Sequence, residues 1–420
     1  MEMQVRQPVR TTVVGGSIAG CACAVALRRC GHAVDVYERT RSNLAERGQG
    51  IALPPSLMGE LIARGYIGED FPAQENRERI WLVPDARRAT GRELWRQPSS
   101  VLTCNWGLLW RQLRARIPDS CYHAGQEVAE AWDIPDGAAG SSTGEGLLRR
   151  PDLVVGADGY RSRLRQHVVP GAAPRYAGYA LWRGGVPVRL LGGLEQALDL
   201  IGQAYCTAVF PGGQALFYLI AAIAPDGGLE PAVSWVLYAR PPQEAAFDPS
   251  LSYPPGRVTH TLIGHVRARA RDVLPPAWGE VVSRTADEDV TVQPVVDLEL
   301  PRIRRGSVLL AGDASSLVRP HTAAGAAKAL LDALCLEEEM SRAQSLAEAM
   351  ASYEARRREH GNQLVELGRR MGRDQVEKAP VWSEMTPQRM DAWAQATLAG
   401  RSHYLYGNTP GSRPGGVPAG

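Results

Sequence analysis

Three short stretches of this chain combine residue types and spacings that suit the handling of a nucleotide. In "VVGGSIAG" (13–20), Gly15 and Gly20 bracket Ser17 at the end of an apolar run, and Glu38 closes the next apolar run. In a dinucleotide-binding turn the first glycine makes the bend and the second lets the backbone approach the pyrophosphate. The third packs helix on strand, and a following acid accepts from a ribose hydroxyl. Here Gly15 and Gly20 take the first and third roles. Ser17 takes the middle one, adding a Cβ but also a hydroxyl able to bond a phosphate oxygen. In "DLVVGADGYRSRLR", Asp158 and Gly159 follow an apolar run and precede Arg161, Ser162 and Arg165. In "GSVLLAGDASSLVRPHTAAGAAKALLDAL", Gly312 and Asp313 do the same, ahead of Pro320 and a helical pattern that begins near Ala323. An aspartate at a strand's carboxyl end can accept from a sugar or ribitol hydroxyl. A helix start offers free N–H groups to an anionic or electron-accepting group. Taken singly, each stretch is also an ordinary strand-turn sequence.

The elements that must position these residues follow from periodicity and punctuation. The first segment reads as strand (about 10–15), helix (about 17–30) and strand (33–38), with Gly31 where a helix end favours a left-handed residue. A mixed region to about 100 holds "ERGQGIAL", a helical "SLMGELIARGY" and "ERIWLV". "NWGLLWRQLRARIP" has a helical period that Pro118 ends. Residues 136–146, "DGAAGSSTGEG", read as a turn or hairpin loop. From about 176 to 290 the stretches "ALWRGGVPVRL", "YCTAVF", "QALFYLIAAI" and "AVSWVLYAR" read as strands of one sheet, with helical pattern only near 260–273. The α/β signal returns at "GSVLLAGDASS" and runs into one long helix from about 323 to 371. The last residues, 401–420, read as a disordered tail. The fold class is thus α/β: one Rossmann-like unit interrupted by a mostly antiparallel sheet domain, with a long C-terminal helix.

Composition narrows the function. The chain has 420 residues, 44% hydrophobic and 22% charged, with a net charge of +2. That balance gives no electrostatic footprint for nucleic acid or an anionic membrane. Of its 47 basic side chains only Lys328 and Lys378 are lysines, a composition bias and not a phosphate-binding device. Seven cysteines, with no C-x-x-C and no metal spacing, fit a reducing compartment, hence the cytoplasm. The apolar run 11–27 has the flanks of a signal peptide, but its glycines and the strand that follows argue against cleavage. Residues 307–336 carry Asp313, Arg319, His321 and Lys328 and cannot span a membrane. No serine elbow, H-E-x-x-H or P-loop is present. Asp133 with Asp136, Glu337–Glu339 and the basic "EARRREHGNQLVELGRRMGR" helix read as solvated faces.

Taken together and in this order, the three motifs resemble those of the FAD-dependent aromatic hydroxylases, the p-hydroxybenzoate hydroxylase-like flavoprotein monooxygenases. The resemblance covers roughly residues 10–375. It is nearest the dihydroxypyridine hydroxylase-like branch through "GGSIAG", "GYALWRGGV", "VQPVVDLELPR" and "RPHTAAGAAKA". It implies that Gly15, Ser17, Ile18, Ala19, Gly20, Glu38 and Arg39 hold the ADP half of FAD. It further implies Asp158 and Gly159 near the pyrophosphate and the nicotinamide path, and Gly312 and Asp313 at the ribityl chain. Gly50, Trp106 and Arg111 join the cofactor site, as do Pro320 beside the flavin ring and Ala323, Ala324 and Gly325 under its pyrimidine edge. Three positions depart from the family pattern. The usual histidine after Gly-Asp-Ala-Ala is Ser316, Gly-Gln-Gly is Ala323-Ala324-Gly325, and the arginine that starts the middle helix is Trp106, with Arg111 one turn on. The domains expected are a discontinuous FAD-binding domain (1–75, 100–175 and 290–375), a substrate-binding sheet domain (76–99 and 176–289) and a C-terminal extension (376–420).

The chemistry that the resemblance implies is monooxygenation. NADPH or NADH binds transiently, reduces FAD and leaves, and the reduced flavin captures O2 as a hydroperoxide that attacks an electron-rich ring. An aromatic or N-heterocyclic small molecule would be hydroxylated, or epoxidised, by a monomer or homodimer acting without nucleic acid, membrane or metal. Two residues are candidates for activating or orienting the substrate, His321 beside Pro320 and Arg183 in "LWRGG". Each has a plain structural alternative, a packed helix-start histidine and an interdomain ion pair. Trp182, Phe210, Phe217, Trp235 and Tyr238 either wall an aromatic pocket or fill the core of the sheet domain. A flavin halogenase would carry W-x-W-x-I-P and a catalytic lysine in the first domain, and this chain has neither. A flavoprotein that binds its ligand without turnover stays open on the departures at Ser316 and Ala323.

Overall fold

The computed structural model describes residues 8–398 except 48, 134–138, 144–145, 148–150, 203, 243–246 and 252. The expected tail and Asp136 therefore lie outside the described residues. A six-stranded sheet runs in the order Arg304–Arg305, Val308–Leu310, Leu153–Gly156, Arg10–Val14, Ala33–Glu38, Tyr122–Ala124. Every neighbouring pair is parallel except the short Arg304–Arg305 edge. Parallel strands are covered on both faces, so they read as unbroken apolar runs, and Leu153–Gly156 is buried throughout. Between the first two strands lies the helix Ile18–Arg29, buried from Ile18 to Leu27. Its Gly20, Ala22, Ala24 and Ala26 present almost no side chain, which lets it sit closely between the sheet and the helix Gly325–Arg342. Gly31, at φ +81°, ends the turn after it. The expected strand-helix-strand over 10–38 is observed.

An eight-stranded sheet runs in the order Thr291–Asp297, Arg175–Pro187, Leu229–Ala239, Gly213–Ile223, Ala204–Phe210, Ala73–Val83, Arg92–Asn105, Gly50–Leu53. Its pairs are antiparallel except Ala73–Val83 with Ala204–Phe210. Both faces are covered. Helices His260–Val273 and Pro276–Ser283 pack on one, against Trp182, Phe217 and Trp235. The other carries Leu181, Tyr205, Tyr218 and Tyr238, closed partly by Leu367, Met371, Trp382 and Met390 of the C-terminal segment. A small third sheet joins Val128–Asp133, Ala139–Thr143 and Gly146–Leu147, so strands lie within the stretch expected to be a loop.

Two further expectations are corrected. The single long helix is two, Gly325–Arg342 and Leu346–Gly372. Ala343 is extended, and Ser345 caps the second helix by accepting from the Glu348 N–H at 3.2 Å while Glu348 accepts from the Gln344 N–H at 2.8 Å. The sequence S-L-A-E is the pattern of a capping box, with the Glu348 carboxylate here reaching back to the residue before the cap. The acidic run 337–339 is not a solvated face. Glu337 accepts from the Tyr66 hydroxyl at 2.6 Å and pairs with Arg29, and Glu339 pairs with Arg356 of the following helix. The basic helix spends Arg356 and Arg357 on Glu338, Glu339 and Asp332. Among the described residues no helix is long and apolar enough to cross a membrane.

Candidate functional site

A cleft of about 730 Å3 opens between the carboxyl ends of the parallel strands and the face of the eight-stranded sheet. Its floor on the parallel side is the glycine turn. Gly15 sits at φ +101°, and a Cβ there would lie 2.3 Å from the Ala157 carbonyl oxygen. A Cβ on Gly20 would lie 1.7 Å from the Gly15 carbonyl oxygen, so both glycines are demanded by backbone and not by side chains. Trp110 Nε1 and the Tyr122 hydroxyl donate to the Gly16 carbonyl at 2.7 and 3.0 Å, fixing the loop from the far side. Ser17 is the N-cap of the first helix, yet its side chain makes no capping bond, and no acid stands in the first turn. Ser17 and the first residues of the helix, Ile18 and Ala19, line the cleft, an arrangement suited to an anion. Glu38 lines the cleft as well, but its carboxylate already accepts from the Gly16 and Thr40 N–H groups, each at 2.8 Å. Each oxygen keeps a second lone pair for a hydroxyl.

The two aspartate loops meet above this floor. Asp158 Oδ2 accepts from the Arg163 N–H at 2.7 Å, while Oδ1 is buried with no hydrogen-bond partner among the described residues. Gly159, at φ +76°, continues the turn. Arg165, 2% exposed, donates to the carbonyls of Gly159, Tyr160, Asp313 and Ala314 and so staples one loop to the other. The Asp313 side chain is open to the cleft, while protein encloses it on its other sides. That burial raises its carboxyl above the ordinary range, and Lys328 and Arg165 pull it back. Past Pro320, Ala323 takes φ +50°, the only left-handed non-glycine among the described residues. The helix Gly325–Arg342 then starts with no side-chain cap and no acid in its first turn, and Gly325, Ala326 and Ala329 face the cleft.

Of the residues expected at the cofactor, the cleft brings together Gly15, Ser17, Ile18, Ala19, Glu38, Arg39, Gly50, Trp106, Asp158, Gly159, Asp313, Pro320, Ala323 and Gly325. Gly20, Gly312 and Ala324 lie behind this lining, while Arg111 is on the exposed face of the helix Trp106–Arg114. Ser316 turns away into the contact between the long helices. A Cβ on Gly361 would lie 2.6 Å from its hydroxyl, leaving no room for a histidine.

His321 does not reach the cleft. It is 6% exposed, with Nε2 bonded to the Tyr179 hydroxyl at 2.8 Å and Nδ1 to Gln375 Oε1 at 3.0 Å. Burial lowers its pKa from 6.5 to about 3, with Arg319 acting in the same direction, so the imidazole is neutral. Its ring stacks on Tyr238 at 4.1 Å between centroids, and Tyr238 does line the cleft. Arg183 is on the cleft wall. One of its terminal nitrogens donates to the Gly50 carbonyl, and Nε is buried with no partner among the described residues.

The aromatic wall differs from the expected set. Of Trp182, Phe210, Phe217, Trp235 and Tyr238, only Tyr238 faces the cleft, and the other four are core on the helix side. Tyr205 and Tyr218 line it instead. Antiparallel register places Arg183 opposite Val236 and Leu181 opposite Tyr238, and Leu216 opposite Val236 on the next strand. These residues share one face by the two-residue period, so counting in steps of two from Arg183 reaches Leu181, and through the pairing reaches Val236 and Tyr238.

A family model described as an NAD(P)-binding Rossmann-like domain matches residues 13–43. The chain is 25% identical over 372 residues to the 2,6-dihydroxypyridine 3-monooxygenase of Paenarthrobacter nicotinovorans, covering 86% of this chain and 90% of that protein. It is 28% identical over 433 residues to the 3-amino-4-hydroxybenzoate 2-monooxygenase of Streptomyces cremeus, covering 97% of each. Among solved structures, the 2,6-dihydroxypyridine-3-hydroxylase from Arthrobacter nicotinovorans superposes with a TM-score of 0.78 at 24% identity over 89% of this chain and 94% of that one. Klebsiella pneumoniae HpxO complexed with FAD and uric acid gives 0.72 at 20% identity over 93% of each chain. At these identities the superpositions establish the shared fold.

Proposed function

We propose, for a chain whose relatives are FAD-dependent monooxygenases of the aromatic-hydroxylase type, that it hydroxylates an aromatic or N-heterocyclic small molecule with NAD(P)H and O2. The observation that carries this reading is one cleft with two unlike walls. On the parallel side lie a glycine cradle that a Cβ would fill and the orphaned Asp158 Oδ1, and on the sheet side lies the unpartnered Nε of Arg183. FAD fits the parallel side. Ser17 and the first helix's N-terminus take the phosphates, Glu38 and Asp158 accept hydroxyls, and Asp313 takes the ribityl chain. Pro320, Ala323 and Gly325 border the ring. When bound, FAD supplies the redox chemistry that passes electrons from nicotinamide to dioxygen.

The remaining work belongs to the sheet wall. Arg183 donates from Nε to an ionised or carbonyl oxygen of the substrate, which orients the ring and favours its electron-rich form. Tyr205, Tyr218 and Tyr238 offer ring faces, and Leu181, Leu216 and Val236 keep the compartment dry. His321 is not a base here, because both its nitrogens are engaged within the protein. It holds Tyr238 in place by stacking. In this reading residues 1–75, 100–175 and 290–375 form the cofactor domain, and 76–99 with 176–289 form the substrate domain, with one exception. The strands Gly50–Leu53 and Thr291–Asp297, and the ends of Ala73–Val83 and Arg92–Asn105 that fall in the first set, hydrogen-bond into the eight-stranded sheet and so belong with the substrate domain.

The test is a screen of phenols, hydroxypyridines and quinolones against purified protein with FAD. The expected result is substrate-stimulated NAD(P)H oxidation with a product heavier by one oxygen atom. Protein that stays colourless with added FAD would defeat the reading.

A further inference from the structure

Resting on the reading that the parallel side of the cleft holds FAD, we infer that Lys328 and Asp332 are positioning residues for that cofactor. They form a buried ion pair that grips Gly312 at both its polar groups and so aims Asp313. The Gly312 N–H donates to Asp332 Oδ2 at 2.9 Å, and the Gly312 carbonyl accepts from Lys328 Nζ at 2.8 Å. The two side chains stand one turn apart on the helix Gly325–Arg342 and meet at 3.0 Å, each 1% exposed. The third ammonium proton goes to Ser315 Oγ at 2.7 Å, and Ser315 in turn donates to the Gly312 carbonyl at 2.8 Å. Asp332 is held from its other side by Arg357 Nε at 2.6 Å. Every donor of the ammonium is therefore matched.

The peptide that is gripped is one that needs holding. Gly312 has φ +59°, and a Cβ on it would lie 2.5 Å from Ala19 Cβ of the first helix, so the turn is wedged between the two helices that end at the cleft. Asp313 follows it directly, with its carboxylate in the cleft. A buried ion pair is weak evidence for stability, since apolar residues of similar volume often serve as well. Its geometry is the more specific property, because both partners bond the same residue's backbone. The choice of lysine agrees with this. Basic positions in this chain are otherwise arginine except for Lys378, yet a compact ammonium with three tetrahedral donors fits this site and a planar five-donor fork does not.

The experiment compares full-length Ser315→Ala, Lys328→Gln and Lys328→Arg with the unaltered chain. Flavin fluorescence gives the FAD Kd, and one thermal ramp reads both flavin release and tryptophan-detected unfolding. Both lysine variants are expected to weaken FAD by roughly tenfold, the size of effect seen when the support of a binding group is removed. Flavin release should fall to a lower temperature by more than unfolding does, and the visible spectrum of bound flavin should shift. Ser315→Ala removes one partner of the ammonium but keeps the Lys328–Asp332 pair and both bonds to Gly312, so it tests the clamp even if a lysine variant fails to fold, and a severalfold loss is expected there. Release and unfolding that fall together with an unchanged Kd would overturn the proposal, reducing the pair to a structural one. If the unaltered chain takes up no FAD, the reading beneath the proposal has failed. If it does and all three variants hold FAD equally, the clamp alone has failed.

Discussion

On the parallel wall of the cleft several charged side chains are turned inward onto backbone, while the Asp313 carboxylate stays open to the cleft. Glu38 holds Gly16 and Thr40, Asp158 holds Arg163, and Lys328 with Asp332 holds Gly312. On the antiparallel wall Arg183 keeps Nε unspent, and around it stand tyrosines and aliphatic side chains with no carboxylate among Leu181, Tyr205, Leu216, Tyr218, Val236 and Tyr238. The first wall is built to fix a backbone shape, and what it offers a ligand is mainly amides and a few remaining lone pairs. The second is a stiff sheet surface that offers side chains. Changes that disturb the backbone of the first should therefore cost cofactor, and fold as well where a rigid backbone contact is broken, whereas changes on the second should cost substrate and leave the cofactor.

The largest break in that contrast comes from the glycine turn. Gly20→Val should destabilise by about 3 kcal/mol and abolish FAD retention, because its Cβ meets the Gly15 carbonyl and not a movable side chain. Flavin content after gel filtration checks this, and yellow protein would contradict it. On the opposite wall, Arg183→Met should raise KM by about 10- to 100-fold, the value of a hydrogen bond to a charged group. The FAD Kd should stay unchanged in that variant, and equal loss of both would erase the distinction between the walls.

A third effect lies in the support behind the sheet wall. The His321 pKa is lowered to about 3, from 6.5, so the folded protein binds fewer protons than the unfolded chain between those values. Stability is then full above pH 6.5 and falls as pH drops toward 3. His360, lowered to about 4 mainly by burial, acts in the same direction. Between pH 6.5 and about 4.5 the His321 contribution should remove about 2 kcal/mol, a loss that His321→Gln should lessen in urea titrations at both pH values. An unchanged slope in that variant would remove His321 from the account. The smallest effect is at Ala323, whose φ of +50° suits glycine. Ala323→Gly should raise stability by about 0.5–1 kcal/mol and leave FAD binding intact, measured by urea midpoints with and without FAD.

The parallel wall was legible because its requirements are local. A glycine at +101° with a carbonyl in the way of any Cβ leaves the same trace wherever the turn occurs; Gly15, Asp158 and Asp313 line the cleft, and Gly20 lies just behind it. What spacing did not carry was the employment of Glu38 by backbone, since an acid at a strand end looks the same whether it binds a ribose or caps a loop. The antiparallel wall was harder to read. Both faces of that sheet are apolar and aromatic, so alternation between polar and apolar residues, the usual guide to facing, is absent. Trp182 and Phe217 stand one residue from Arg183 and Tyr218 respectively, and parity alone sends the first pair into the core and the second to the cleft. The break at Ala343 was written in Ser345 and Glu348, but was masked by strong helical pattern on both sides of it.

The central claim is that one cleft joins a flavin-holding wall to a substrate-orienting wall for oxygen transfer. It is tested most directly by turnover under heavy-isotope dioxygen with an aromatic substrate that stimulates NAD(P)H oxidation, with product and peroxide measured together. The account predicts one heavy oxygen atom in the product for each NAD(P)H consumed by the unaltered chain, and a shift toward peroxide in Arg183→Met. Peroxide alone from the unaltered chain, or product oxygen drawn from water, would contradict it.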